Sequence, residues 1–551
     1  MIWKRDVAGL LVAFGVLYFA LLGRAPLANP DEGRYAEIPR EMAASGDWVT
    51  PRLDGVNYFE KPPLGYWAVA ACLSVFGPGE ASARTAPVLF ALAGILVTYG
   101  AARRLYGRDA GVAAAAVLGS SLLYFALARL LILDMAVSVL MSSALFCFIL
   151  GVREPPGAAR RWLFLGLYAC AALATLSKGL IGFLLPGAVM AVWLAVFNQW
   201  RRLRPLHLAL GTALFLAIAA PWHLLAAQRN PQWAHFYFIH EQWERFTTTQ
   251  HGRTGPMWYF VPVVLLGLFP WVGFGWAALR SALAGGWARR RENADAWFLA
   301  AWAVVIFAFF SKSQSKLIPY ILPVLPPLAV LIGAWLSKAL RGDPAALRPG
   351  LRIGAGVSLL LAAAAAVAVG VPGVLHDPAQ AATLRPFGWA VAIILGGGAA
   401  ACAWLSRRRG PTAGLAALVA SAAALYLILV AALPLIQRPG TKDLALQAAG
   451  LAAPGEPIYH YHEFFHDFTF YARRSVSIVA FQGELEPEND PRPQARDIFV
   501  SEEAFRRRWD GPQRAFVVAR KGDVRELFGD PTFHYRLLGE SRGHYLFSNR
   551  P

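Results

Sequence analysis

The 551-residue chain is poor in charge: only 16% of its residues are Asp, Glu, Lys or Arg. That is too few to solvate the surface of a soluble protein of this length. Cysteine is scarce too. Cys147, Cys170 and Cys402 fall in long apolar runs and Cys72 in another apolar stretch, so no disulfide framework is expected and the four read as small core residues. Acids are outnumbered, 34 against 52 Lys and Arg, for a formal net charge of +18. In a soluble chain such an excess would suggest nucleic acid. Here the basic residues cluster in loops between apolar runs, as they do at the cytoplasmic ends of membrane spans and at lipid headgroups, so no nucleic-acid partner is expected.

What is abundant is hydrophobicity, 57% of residues, with a mean hydropathy of +0.44. Crossing a hydrocarbon core takes about 20 helical residues. Thirteen runs approach that length, near 7–23, 84–102, 110–127, 131–151, 162–176, 179–197, 206–227, 257–279, 295–310, 317–337, 351–372, 387–405 and 412–434. A polytopic α-helical membrane domain over 1–434 is therefore expected. The first run follows Lys4 and Arg5 and resembles a signal peptide, but the twelve later runs favour an uncleaved helix. The polar segment 435–551 alternates apparent strands, at Pro457–Tyr461, Ser475–Ala480 and Ala515–Ala519, with helical stretches, which predicts a small α/β domain.

With the N-terminus inside, every second loop carries a basic cluster: Arg103 with Arg104 and Arg108, Arg153 with Arg160 and Arg161, Arg201 with Arg202 and Arg204. Arg289 to Arg291, Lys338 with Arg341 and Arg348, and Arg407 to Arg409 continue the series. The positive-inside bias then makes these loops cytoplasmic, and thirteen crossings put the C-terminal domain outside. The opposite loops, 24–66 and 228–256, mix acids, bases, aromatics, Gly and Pro and are too long and polar to be plain connectors. The candidate chemistry is therefore external. ATP and nucleotide sugars are absent there, so a group-transfer enzyme on that face needs a donor carried across the bilayer, such as a polyprenyl-phosphate sugar.

The first outer loop is the densest. Asn29-Pro30 signals a helix start, with Asp31 and Glu32 favoured in the first turn and Arg34 able to pair with an acid one turn later. Asn57-Tyr58-Phe59-Glu60-Lys61-Pro62-Pro63 sets an acid and a lysine beside two stiffening prolines at the membrane surface, where the lysine can bind a phosphate or snorkel. Asp134 stands in an apolar stretch, where a charge costs about 2.5 to 3.5 kcal/mol and so has a partner or a task, unless it only caps the helix. The 228–256 loop is rich in aromatics, as in an interfacial helix. It holds Arg245, suited to paired donation to phosphate, and His240, a possible metal ligand with Glu60 but also a plausible structural histidine. Lys178, Lys312 and Lys316 add external cations suited to anionic lipids.

The series Asp31-Glu32-x-Arg34-Tyr35-Ala36-Glu37-Ile38-x-Arg40-Glu41-Met42, with Ser45-Gly46-Asp47-Trp48 and Phe59-Glu60-Lys61-Pro62, resembles the bacterial aminoarabinose transferases of lipid A. Leu133-Asp134, Lys178-Gly179, Pro221-Trp222, Glu241, Arg245-Phe246 and Lys316-Leu317 with Pro319-Tyr320-Ile321-Leu322 follow in that family's order, so the likeness runs over roughly residues 5–330. His240-Glu241 and Ser177 depart from the pattern. The resemblance implies a GT-C fold related to protein O-mannosyltransferases, with about thirteen transmembrane helices and a periplasmic C-terminal domain, in the bacterial inner membrane. It implies undecaprenyl-phosphate aminoarabinose as donor and a lipid A phosphate as acceptor, a modification that gives polymyxin resistance.

On that basis Lys61, Arg245, Arg34 and Tyr320 are expected at the donor phosphate, Asp31, Asp134 and Glu60 at the reacting sugar, and Tyr35, Tyr58 and Lys178 in the pocket. No cofactor is required, and a divalent metal at His240 and Glu60 is the one candidate. Single displacement with inversion is expected, since no dedicated nucleophile is visible. The rivals are a protein O-mannosyltransferase or another polyprenyl-phosphate-sugar transferase and, from a different class, a lipid flippase or transporter. The scarcity of charges within the spans argues against the last.

Overall fold

The computed structural model describes the chain except residues 1, 199, 204, 245–253, 372, 373, 375–377, 438, 439, 486–489, 491, 493 and 551, and the side chains of 201, 202, 240, 242–244, 378, 379 and 494. Helix covers most of every predicted apolar run. Among the described residues eight helices are long and apolar enough to cross a bilayer: Glu80–Tyr106, Asp134–Arg153, Leu208–Arg229, Ala294–Lys312, Ile318–Gly342, Pro344–Gly370, Gln380–Arg408 and Pro411–Ile436. Two bent pairs bring the number to ten. The count of thirteen is not reached by length and composition, because Ile2–Phe19 and Ala158–Lys178 carry charged residues at their ends and Ile181–Phe197 has only 17 residues.

The bent pairs correct two expectations of single straight spans. The run near 110–127 is Arg108–Gly119 followed by Leu122–Ala128 at 64°, and that near 257–279 is Phe260–Gly267 followed by Val272–Ala282 at 98°. Pro270, which lacks an N–H, falls at the second break. Away from water, backbone groups freed at a break need partners inside the protein. Here each break serves the other. Leu122 N donates to Phe269 O at 3.0 Å, Trp271 Nε1 donates to Ser120 Oγ at 2.9 Å, and the Tyr426 hydroxyl lies 2.7 Å from Ser120 O and 3.0 Å from Phe269 O.

By packing, the chain forms two compact units. One comprises Met1–Leu22, Pro87–Pro221 and Gln242–Ile436. Its aromatic core includes Phe125 stacked on Tyr426 at 4.6 Å and Phe146 edge-on to Trp302 at 5.0 Å. The other comprises Gly23–Ala86, Trp222–Glu241 and Gln437–Pro551, so it gathers two long polar loops with the C-terminal segment, a division that hydropathy does not reveal.

In this second unit the predicted α/β pattern is a six-stranded sheet. Strands β3 (Ile458–Tyr461), β4 (Ser477–Val479), β5 (Phe499–Val500), β6 (Phe516–Arg520), β7 (Arg536–Glu540) and β8 (His544–Ser548) follow the short hairpin β1 (Arg52–Leu53) and β2 (Val56–Asn57). The sheet order is β5-β4-β3-β6-β8-β7. Strands β3 to β6 are parallel, with Tyr459 opposite Ser477 and Val517, while β8 pairs antiparallel with β6 and β7. The parallel strands are almost wholly buried and read as apolar runs, Ile-Tyr-His-Tyr and Phe-Val-Val-Ala, as expected of strands covered on both faces.

Candidate functional site

The helix Asp31–Ser45 starts where the sequence predicts, but Asn29 does not cap it. Asn29 Nδ2 donates to Asp467 Oδ1, and Asp467 N donates back to Asn29 Oδ1 at 2.9 Å. Glu32 takes over the first turn, accepting from Ala28 N at 2.9 Å. It also receives Arg84 in a fully buried ion pair of 2.6 Å, and Arg84 further donates to the carbonyls of Ala25 and Pro26. Gly33 fills the unspecified position of the motif for a steric reason: a Cβ there would lie 2.5 Å from Asp467 N.

One turn on, Arg34 is buried and ion-paired with Asp31 and with Glu484, and it donates to the Tyr58 hydroxyl at 2.9 Å. Its acid is thus not the one a turn later, as expected, because Glu37 is engaged bidentately by Arg40. The guanidinium faces the rings of Tyr35 and Tyr58 at 5.2 and 5.9 Å, and the Tyr35 and Tyr66 rings lie 6.2 Å apart. Tyr66 and Glu484 belong to this cluster but were not singled out from the sequence. The buried Tyr66 hydroxyl has no hydrogen-bond partner among the described residues, a feature that sequence does not encode.

Lys61 is also buried. Its ammonium lies 2.8 Å from Glu241, 3.5 Å from Glu60 and 2.9 Å from the Glu60 carbonyl oxygen. Glu241 is carried on a π-helical turn, Phe236–Glu244, whose Trp233-side face is buried, with Tyr237 stacked on Trp233 at 4.9 Å. Insertions of this kind recur at functional sites. Of the suggested metal pair, Glu60 lies 3.5 Å from the Lys61 ammonium. Arg245 and the His240 side chain lie outside the described residues. Among those described, no group of three or more His, Cys, Asp or Glu could hold a metal.

In the other unit, Asp134 begins the helix Asp134–Arg153 and forms an ion pair with Lys178, which in turn lies 4.7 Å from the Tyr320 ring centroid. The structure thus joins three expected site residues. Asp134 is the first residue of its helix, with Leu133 at the cap position and no side-chain cap hydrogen bond, so its carboxylate serves the ion pair.

Glu37 and Glu41 of the first-loop helix form an acidic cluster with Asp54. Glu41 accepts from Gly55 N at 3.1 Å, and Asp54, in the tight turn of the β1–β2 hairpin, accepts from Val476 N at 3.0 Å. Burial, reinforced by the neighbouring Glu37, pushes the Glu41 carboxyl up to about 8. Burial and then Glu41 push Asp54 well above the usual carboxylate range.

Comparison with known proteins relates this arrangement to a family. Residues 60–224 match the family described as dolichyl-phosphate-mannose-protein mannosyltransferase, and residues 444–542 match the aminoarabinose transferase C-terminal domain. The undecaprenyl phosphate-alpha-4-amino-4-deoxy-L-arabinose arabinosyl transferase of Pectobacterium carotovorum is 35% identical over 386 residues, 68% of this chain and 67% of that protein. The crystal structure of ArnT from Cupriavidus metallidurans bound to undecaprenyl phosphate superposes with a TM-score of 0.86 at 32% identity, over 99% of this chain and 98% of that one. The chain belongs to the aminoarabinose transferase family. An archaeal oligosaccharyltransferase, AglB from Archaeoglobus fulgidus, shares the fold alone, with a TM-score of 0.52 at 13% identity. This aminoarabinose transferase thus has the GT-C architecture expected from its first-loop motif.

Proposed function

We propose that this protein transfers 4-amino-4-deoxy-L-arabinose from undecaprenyl phosphate to a phosphate group of lipid A at the periplasmic face of a bacterial inner membrane. The observation that carries this is the likeness, along nearly the whole chain, to an ArnT bound to undecaprenyl phosphate. Thirteen crossings with the C-terminal domain outside fit the alternation of basic loops.

In this reading an acceptor phosphate oxygen attacks the anomeric carbon, the bond from that carbon to the donor phosphate oxygen breaks, and undecaprenyl phosphate leaves with the bonding pair. Lys61 with Arg245 holds the leaving phosphate, where negative charge grows. Glu60 and Glu241 fix the Lys61 ammonium before the donor arrives, so little reorganisation accompanies departure. Asp31 and Asp134 orient acceptor and sugar, since an acceptor already ionised at neutral pH needs no strong general base. Arg34 orders Tyr35, Tyr58 and Asp31 on the first loop, and Lys178 packs on Tyr320 beside Asp134.

Incubating the purified chain with undecaprenyl-phosphate aminoarabinose and lipid A, and with other polyprenyl-phosphate sugars, tests this by mass spectrometry. Aminoarabinose on the lipid A phosphates is expected. Lipid movement without transfer would support a flippase instead.

A further inference from the structure

The sequence run Ser311-Lys312-Ser313-Gln314-Ser315-Lys316 holds two lysines of equal sequence merit, and the structure separates them. Lys312, at the end of the helix Ala294–Lys312, is exposed, as a side chain reaching for lipid headgroups should be. Lys316 is only 7% exposed. Its ammonium donates to the Ser313 carbonyl oxygen, and the Ser313 hydroxyl in turn donates to the Ser315 carbonyl at 3.0 Å, so the loop wraps the charge.

Lys61 and Lys178 each have a carboxylate. Among the described residues no carboxylate pairs with Lys316. One backbone carbonyl satisfies only one of the three donors of this buried ammonium, and a buried charge is costly unless its donors are met. Two further donors lie in the same six-residue run: the buried hydroxyls of Ser311 and Ser315 have no partner among the described residues. One cation and two spare hydroxyl donors in one short buried run at a helix end make the complement of an oxyanion. The stem is confined as well, since a Cβ on Gly255 would come within 3.2 Å of Lys316 Cδ.

We propose that the 311–316 turn is an anion site in which Lys316, Ser311 and Ser315 hold the phosphate of a polyprenyl lipid. A bulk phospholipid offers the same chemistry, but its headgroup is met by exposed cations such as Lys312, whereas Lys316 and its serines are enclosed. The inference rests on the polyprenyl-phosphate donor reading.

The test uses the full chain in neutral phosphatidylcholine nanodiscs, with binding of undecaprenyl phosphate compared with undecaprenol. Lys316→Met, which keeps length and removes charge, should weaken undecaprenyl phosphate about tenfold or more and leave undecaprenol unchanged, with Lys316→Arg recovering part of the loss. Ser311→Ala with Ser315→Ala should weaken it several-fold, and this double variant keeps the test open should Lys316→Met fail to fold. Unchanged affinity in the folded variants overturns the inference alone. Equal competition by phosphatidylglycerol nanodiscs overturns the choice of a polyprenyl occupant. Equal binding of undecaprenyl phosphate and undecaprenol by the wild-type chain would overturn the donor reading itself.

Discussion

Lys61 is held between two carboxylates on a segment stiffened by Pro62 and Pro63, so its substitutions separate a phosphate ligand from a snorkelling side chain. Lys61→Ala should weaken donor binding and slow turnover by about two orders of magnitude, since the interaction strengthens as charge develops on the leaving phosphate. Lys61→Arg should restore only part. Full activity of the alanine variant, measured as sugar transfer, would remove Lys61 from the site. Asp31 is more than half exposed, with a relative side-chain exposure of 56%, and its place in the first turn contributes under about 1 kcal/mol to its helix. Asp31→Asn should therefore abolish transfer with no detectable change in melting temperature. These residues were legible because charge, proline and aromatics crowd one short loop. Glu484 was not, because nothing local distinguishes an acid whose partner Arg34 lies 450 residues away, and Tyr66 was not, because it opens an apolar helix and reads as one more aromatic of that run. A titration belongs at this scale too. The Glu41 carboxyl is raised from an ordinary 4.5 to about 8, so the folded state binds a proton that the unfolded chain gives up. Stability is then fully present below about 4.5 and falls as pH rises toward 8. Melting temperatures from pH 5 to 8 should decline, and Glu41→Gln should flatten part of that slope.

Among the elements, the helix Asp31–Ser45 depends on a buried ion pair at its first turn. Arg84→Met strands the Glu32 carboxylate, so the loss should be roughly 3–5 kcal/mol, whereas the double variant with Glu32→Gln should recover most of it. Thermal unfolding in detergent measures both, and equal losses for the single and double variants would refute the pairing. The broken spans show where pattern reading stops. Hydropathy places apolar residues at 110–127 and 257–279 but does not say that each run turns sharply, because serine and proline are tolerated in straight membrane helices as well. The freed backbone groups at the bends find partners in each other and in Tyr426, whose hydroxyl serves both, and that is a tertiary fact. The strands β3, β4 and β6 were readable from their continuous apolar runs. The two-residue strands of the β1–β2 hairpin were too short for any periodicity.

At the scale of the molecule, the distribution of arginine predicts an orientation that labelling tests. With the native cysteines replaced, cysteine introduced at the exposed position 45 should react with an impermeant reagent in intact spheroplasts, and at 408 only after permeabilisation. The opposite pattern would invert the topology. Position 54, equally external by sequence, is unsuitable because Asp54 is only 2% exposed. The second compact unit has a further consequence, one of timing. Asn29 meets Asp467 across 438 residues, and Asn57 meets Asp490 across 433. Ribosomes add about 5–20 residues per second, so the first loop leaves its own synthesis behind by something on the order of 20 to 90 seconds before its partners exist. Throughout that interval Asn29 and Asn57 lack these partners, and a nascent chain cut short before the final sheet is left with unfinished polar surface that proteases and chaperones can read as a mark of incompleteness.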